Sequence, residues 1–301
     1  MIKISVITCT YNPRKDFLNI VLLGLQSQTL STQEWEFILV DNASKTVLAT
    51  EGDLSWHPFA RHVREEKLGL THARASGITE AQGEVLVVVD DDNVLDADFL
   101  DITAQISRDW SILGAWGGQI RPEFEVEPPE WAKPYLGLLA LREFDTDKWS
   151  NLVHQHETTP CGAGLCVRKA VAEKYLSLVN QDSKRAALGR KGNILTSCED
   201  SDLAYTACDI GLGTGQFTKL KMVHLISGVR LNLDYFERLL EGMSYSGTIL
   251  ESWRGKLPTK KSWRSRLVQF YIRSRLAENQ RRLYDASQRG FNSALKEITS
   301  N

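Results

Sequence analysis

The chain has 301 residues, 42% of them hydrophobic and 25% charged, enough ordinary globular sequence for one large α/β domain or two smaller ones. Its formal net charge of -2 argues against general nucleic-acid binding. That total hides an asymmetry, because from Arg254 to Arg282 ten lysines and arginines face Glu278 alone and the remainder is acidic.

In chain order, "KISVITCT" reads as a strand, and "RKDFLNIVLLGLQSQ" sets Phe17, Ile20, Val21 and Leu25 at helical spacing. "EFILVDN" is a second strand, "RHVREEK" a short third, and "LTHARASGITEAQG" a helix closed by Gly83. "EVLVVVDDDN" is a fourth strand whose unbroken apolar run suits burial on both faces. Strand and helix in alternation imply right-handed crossovers and a mostly parallel central sheet flanked by helices. From about 96 to 228 the pattern is less regular. Pro128, Pro129 and Pro134 in "EFEVEPPEWAKPY" mark a loop or lid. "TTPCGAGLCVRKAV" reads as a glycine-bearing turn into a strand and a helix. "SCEDSDLAYTACDIG" reads as a capped helix ending at Gly211, and "FTKLKMVHLI" as a following strand. From Leu231 the pattern is helical and increasingly basic, and no internal repeat is visible.

Ligands of parallel sheets bind outside the carboxyl ends of the strands. Two of the expected strands end there in acids: Asp41 in "LVDN", and the triplet Asp90, Asp91 and Asp92. Adjacent carboxylates repel and are costly to dehydrate. A hard cation such as Mg2+ or Mn2+, with oxygen ligands completed by water and phosphates, resolves that repulsion, and a carboxylate can also accept ribose hydroxyls. On a continuing strand Asp90 and Asp92 share a face and Asp91 opposes them, unless the chain has already turned. The plainer alternative is solvated turn aspartates. The triplet behind a buried run, with Asp41 on the same edge, favours a site.

Six blocks in order, "ISVITCTYNP", "ILVDNAS", "KLGLTHARASGI", "VVVDDDNVLDADFL", "CGAGLCVRKAV" and "CEDSDLAYTA", resemble the family-2 glycosyltransferases with the A-type nucleotide-diphospho-sugar transferase fold (GT-A). The resemblance covers roughly residues 2 to 228. It implies that Thr10, Tyr11 and Asn12 line a nucleoside pocket, that Asp41 accepts a hydrogen bond from the base, and that Arg74 reaches the nucleotide. It implies Asp91 near the ribose and Asp92 on a metal bridging the diphosphate, with Asp90 serving either. Gly162 and Gly164 fall where the family has a small-residue turn beneath the donor sugar. Glu199-Asp200 resembles the acidic pair on the acceptor side, with Asp200 as base, and His224 falls where some members complete the metal shell. The second strand ends in Asp41-Asn42 rather than two acids.

Each assignment has a structural rival. Ser197-x-x-Asp200 is also a capping-box pattern, and acids suit a first helical turn. His224 also reads as a core or turn histidine. Trp116, Arg121 and Trp131 suit sugar contacts or plain packing. "HQHE" from His154 reads as surface strand polarity, and "GLGTG" from Gly211 as a helix stop and turn. Cys9, Cys161, Cys166, Cys198 and Cys208 form no CxxC pair, so reduced thiols in a cytosolic protein are expected, not zinc ligands or disulfides. The N-terminal "MIKISVITCTYN" lacks signal-peptide character, and no apolar run approaches the about 18 residues of a membrane span. The basic, aromatic-bearing stretch 254–282 reads either as a peripheral contact with anionic membrane or as a packed helix with a solvated basic face.

The reading is therefore a GT-A domain over 1–228, with a nucleotide-binding half at 1–95 and an acceptor half at 96–228, followed by a helical basic extension at 229–301. Its expected activity is inverting, Mg2+- or Mn2+-dependent transfer from a nucleotide sugar, a UDP-sugar foremost, to a glycan or lipid-linked acceptor in polysaccharide or cell-surface glycan synthesis. A cytoplasmic enzyme, soluble or peripherally membrane-bound, is expected. The alternative is a protein that binds nucleotide sugars without transferring them.

Overall fold

The structure is a computed structural model that describes residues 2–50, 53–153, 155–192, 194–258 and 263–300, with backbone alone over 263–266. The strands are β1 (Ile4–Thr10), β2 (Trp35–Asn42), β3 (Ala60–Glu65), β4 (Val85–Asp90), β5 (Asn93–Leu95), β6 (Leu113–Phe124), β7 (Lys148–Ser150), β8 (Leu165–Arg168) and β9 (Gly213–Ile226). The helices are α1 (Lys15–Gln26), α2 (Leu70–Glu80), α3 (Phe99–Asp109), α4 (Lys169–Gln181), α5 (Ser183–Ala186), α6 (Glu199–Asp209), α7 (Leu233–Trp253), α8 (Trp263–Arg275) and α9 (Glu278–Ser300). The strands form one sheet in the order β3-β2-β1-β4-β8-β6-β9-β5, with β7 also paired to β9. The β3-β2-β1-β4 side is parallel, whereas β8 pairs antiparallel with both β4 and β6.

Alternation along the strands separates two cores. Ile4, Val6, Val85, Val87 and Val89 meet Leu18, Val21 and Leu25 of α1 and Phe99 and Leu100 of α3. Ile7, Cys9, Leu86 and Val88 meet Ala73 and Ile78 of α2, Val171 and Tyr175 of α4, and Leu203 and Ala207 of α6. A strand apolar at every position is what burial between two helical layers demands, because successive side chains point to opposite faces.

Some details differ from the expected pattern. Helix α2 stops at Glu80, and Gly83 is instead where the chain crosses β1: a Cβ there would lie 2.6 Å from the Ser5 amide nitrogen. The "GLGTG" stretch is only partly a turn. Gly211 ends α6 with φ +83°, but Gly213 and Gly215 lie inside β9. The proline-rich segment opens a 3-10 helix over Lys133–Leu139, and Trp131, Tyr135 and Leu139 pack on Phe236 and Leu239 of α7. Around "HQHE" the chain forms turns rather than a strand, and His154 itself lies outside the described residues. The five cysteines are all free. Among the described residues, no helix is long and apolar enough to cross a membrane.

Candidate active site

Asp90 is the last residue of β4, and the chain turns at Asp91 and Asp92 before β5. The turn breaks strand alternation and lets all three acids line one cleft of about 270 Å3 at the carboxyl ends of β1 and β4. Thr10 at the end of β1 donates its hydroxyl to Asp91 Oδ2. Burial and the neighbouring Asp92 carboxylate push the Asp91 carboxyl up.

Asp92 is compensated. Arg230 Nη1 donates to Asp92 Oδ2 at 2.6 Å and to His224 Nε2 at 2.9 Å, and those two acceptor atoms are 3.3 Å apart. A guanidinium only donates, so His224 Nε2 is an acceptor here, presenting the lone pair that a metal would use. Burial alone would raise the Asp92 carboxyl, but the Arg230 guanidinium against it holds it well below the usual range. Two lone pairs thus converge on one internal cation. Their separation is close to the about 3 Å expected between adjacent ligands of an octahedral ion with about 2.1 Å bonds. The donor set therefore fits Mg2+ or Mn2+, provided that Arg230 yields the seat. Among the described residues no cluster of three or more His, Cys, Asp or Glu could hold a metal, so further ligands must come from substrate and water.

The adjoining wall is built by α2, α6 and the turn before β8. Arg74 is buried, donates to Glu199 Oε1 at 2.8 Å and reaches Asp90 Oδ1 at 3.4 Å. Burial pushes the Glu199 carboxyl up to about 7 even beside that guanidinium, with the Asp200 charge adding. Asp200 does not cap its helix. The N-cap is Cys198 at φ 87°, without a side-chain bond, and the Ser197 amide goes to Ser246 Oγ at 3.2 Å. Asp200 Oδ2 instead accepts the Gly162 amide at 2.6 Å, and Oδ1 accepts the Ser201 amide at 2.7 Å. Its carboxylate is tied to the small-residue turn on the same wall. A Cβ on Gly162 would lie 2.7 Å from Arg74 Nη2 and 3.2 Å from Asp200 Oδ2, so only glycine lets these groups close over it.

The cleft thus gathers Thr10, Tyr11, Arg74, Asp90, Asp91, Asp92, Gly162, Glu199, Asp200 and His224. Asn12 lines an adjoining hollow that shares Tyr11, Asp91, Asp92 and Arg230. It takes φ 49°, which asparagine tolerates, and spans from the Ser44 hydroxyl to the Lys45 amide. Other expected contacts fall elsewhere. Asp41 is buried, with its oxygens taken by the Ser44 and Leu48 amides and by Arg64 Nη1 at 2.7 Å. It holds the 43–48 loop, and the neighbouring Asn42 lines the cleft in its place. Burial raises the Asp41 carboxyl, but those amides and Arg64 outweigh it and hold it below the usual range. Gly164 adopts φ +69° and packs against Met222 and Phe99, away from the cleft. Trp116 is 0% exposed in the core, against Cys166, and so contacts no acceptor. Arg121 is outside the cleft in an ion pair with Asp96, and Trp131 stacks edge-on with Phe236 at 5.7 Å.

Sequence reasoning passed over Arg190, Arg230 and Tyr235, which also line the cleft. Arg230 lies six residues past His224, and Tyr235 takes its Nε at 3.1 Å. The spacing of Arg230 from the end of β9 is a signal only once β9 and Asp92 are known to be neighbours. The basic stretch also resolves differently. Arg254 is buried against Asp202 (3.0 Å) and Asp209 (2.9 Å), while Arg273 pairs with Asp285 and Arg282 with Asp234 and Glu237. Lys260 and Lys261 lie outside the described residues.

A family model described as "Glycosyl transferase family 2" matches residues 5–175, ending before α6. Among curated proteins, a glucosyl-dolichyl phosphate glucuronosyltransferase of Haloferax volcanii is 24% identical over 132 residues. That match spans 43% of this chain and 42% of the relative, about two fifths of each. Similar solved structures include S. aureus TarS 1-349 in complex with UDP-GlcNAc, with TM-score 0.58 and 15% identity over 95% of this chain and 79% of that one. The mannosyltransferase PcManGT from Pyrobaculum calidifontis, in complex with GDP-Man and Mn2+, has TM-score 0.57 and 16% identity over 98% and 75%. At these identities the likeness establishes the fold, which is the GT-A type that the sequence blocks imply.

Proposed function

The chain belongs to glycosyl transferase family 2 and is a glycosyltransferase, and from that premise we propose that it moves a sugar from a UDP-sugar to a hydroxyl of a lipid-linked glycan, with inversion and with Mg2+ or Mn2+. The observation that carries the reading is that Asp91-Asp92 and Asp200 line the same cleft. Diphosphate and acceptor chemistry need different carboxylates, and here one cleft is lined by both sets.

In this reading Asp92 and His224 would hold the cation, which would supply positive charge to neutralise the departing diphosphate. Arg230 lines the same cleft, and with the cation bound its guanidinium would be free to pair with the diphosphate. Asp91 and Thr10 take the ribose. The nucleoside lies toward Tyr11, Asn42 and Gly69. The acceptor oxygen attacks the anomeric carbon as the bond to the diphosphate oxygen breaks. Its proton passes to Asp200, and the bonding pair leaves with the diphosphate. The Gly162 and Ser201 amides fix the Asp200 carboxylate for that transfer. UDP is supported by the TarS complex, and a lipid-linked acceptor by the name of the Haloferax relative. Arg190, which has no ion-pair partner among the described residues, suits the phosphate of such an acceptor. Residues 1–228 form the catalytic unit, and 229–301 an extension that completes its wall through Arg230 and Tyr235.

The test is thermal unfolding with UDP, GDP and dTDP, each with and without Mn2+. UDP should stabilise the protein only when the metal is present, and Asp92→Asn should remove that dependence. No response to any nucleotide would sink the donor site.

A further inference from the structure

We infer that the rim of the cleft beside the start of α2 holds the acceptor as an anionic glycan, one whose chain carries phosphate or carboxylate groups. Two short segments build that rim. The Leu70 amide, in the first turn of α2, donates to the Arg190 carbonyl at 2.9 Å and so clips the chain ahead of α6 to the helix. Lys191 and Ile194 exchange backbone hydrogen bonds at 3.3 and 3.0 Å, with Gly192 at φ +56° directly after Lys191. Lys67 and His72 flank Leu70 in sequence, and the His72 ring lies against Gly69, where a Cβ would be 3.3 Å from its Cδ2. Four basic residues are thereby drawn to one end of one helix.

Their charge is not balanced. Lys67, Arg190 and Lys191 have no ion-pair partner among the described residues. Burial and the Lys67 ammonium hold the His72 imidazole below its ordinary value, with Glu65 opposing and Lys191 adding, so both lysines act on that ring. The acids beside them in sequence are spent. Glu65 accepts the Lys67 amide at 2.7 Å and the Ser76 hydroxyl, and Glu66 pairs with Arg64 at 3.0 Å. Helix α2 has neither a side-chain cap nor an acid in its first turn, so its positive end adds to the same field. A cleft edge lined by one sign of charge attracts the opposite sign.

The cluster reaches from solvent into the cleft. Lys67 and Lys191 are exposed, whereas Arg190 lines the cleft and its charge acts on both Asp92 and Glu199. The donor has its own provision, since its diphosphate belongs with Asp92 and Arg230. A single acceptor phosphate would engage Arg190 alone. The lysines that continue its charge outward suit an acceptor whose negative groups recur along the chain. The formal net charge of -2 sets nucleic acid aside. The choice of a glycan rests on the transferase reading above, whereas the charge of the rim does not.

The experiment measures binding of three matched fluorescent dextrans, neutral, carboxymethylated and phosphorylated, to the full chain without donor. The charged dextrans should bind, the neutral one should not, and binding should weaken as ionic strength rises. Whichever charged form binds more tightly identifies the anionic group. Lys67→Ala with Lys191→Ala should weaken binding about tenfold, about threefold per lysine, without lowering the unfolding temperature. Arg275→Ala with Arg281→Ala removes two arginines of α8 and α9 that have no ion-pair partner among the described residues, and should bind as wild type. Failure of both charged dextrans to bind, equal binding of the neutral one, wild-type binding by the lysine variant, or an equal loss in the arginine variant would overturn the inference. So would a single-stranded oligonucleotide that binds more tightly than either charged dextran, because the rim would then select nucleic acid. Dextran binding without any nucleotide response would sink the donor-site reading and leave the anionic ligand of the rim intact, and a UDP response without dextran binding would do the reverse.

Discussion

Removing the Arg230 side chain tests whether one seat serves both an internal cation and a metal. In Arg230→Ala, Asp92 keeps the Asn93 side-chain amide (2.9 Å) and the His224 ring at 3.3 Å and loses the guanidinium at 2.6 Å. Breaking a buried ion pair from one side costs about 3–5 kcal/mol. The Asp92 side chain is 20% exposed and so partly hydrated, which places the cost at the lower end, about 3 kcal/mol. For a chain of this size about 2 °C per kcal/mol applies, so unfolding should fall by about 6 °C. Mn2+ at a hundred times its dissociation constant returns about 2.7 kcal/mol, which offsets most of that loss. In wild type the ion must first displace the guanidinium, so the same titration should yield a smaller shift at higher concentration. The assay is thermal unfolding of both proteins across a Mn2+ series, with His224→Ala in the variant background as control. Equal Mn2+ stabilisation of wild type and variant, or a variant within about 1 °C of wild type without metal, would refute the shared seat.

Asp200→Asn should retain metal-dependent stabilisation by UDP while turnover falls about 10²- to 10⁴-fold, and wild-type turnover would return Asp200 to a purely structural role. Burial raises the Glu199 carboxyl from an ordinary 4.5 to about 7, so the native state holds more protons than the unfolded chain between those values. Stability should therefore fall as pH rises through that window, and Glu199→Gln should flatten its share of the slope in urea unfolding followed across pH; an unchanged slope would assign the linkage elsewhere. In α9 a Cβ on Gly290 would lie 2.1 Å from the Glu241 carbonyl oxygen of α7, so Gly290→Ala should force the helices apart and cost about 1–3 kcal/mol by denaturant midpoint.

Much of the site was legible because its signals are local. Strand β4 is a continuous apolar run because it is buried between two helical layers, and acids directly after such a run have few structural uses. The same local reading assigned roles that packing then redirected. Asp41 ends a strand on the ligand edge, yet the 43–48 loop folds back and takes its oxygens. Trp116 has an aromatic face suited to sugars, but the β6 alternation points it into the core. Gly164 is a glycine because its φ is +69° and because Met222 and Phe99 leave no room for a Cβ, not because a sugar approaches. The arginines of the tail look alike in sequence, and only the packing of α7, α8 and α9 separates those spent on Asp202, Asp285 and Glu237 from those left outside.

By itself, then, the sequence determined the alternation that builds the sheet and the acidic turn at its ligand edge, since both follow from the periodicity and charge of neighbouring residues. The tertiary structure alone decided that Arg230 sits 138 residues along the chain from Asp92 and yet 2.6 Å from its carboxylate. Charge compensation depends on distance in space, which residue order does not carry until β5 has paired with β9 and set Asp92 beside His224.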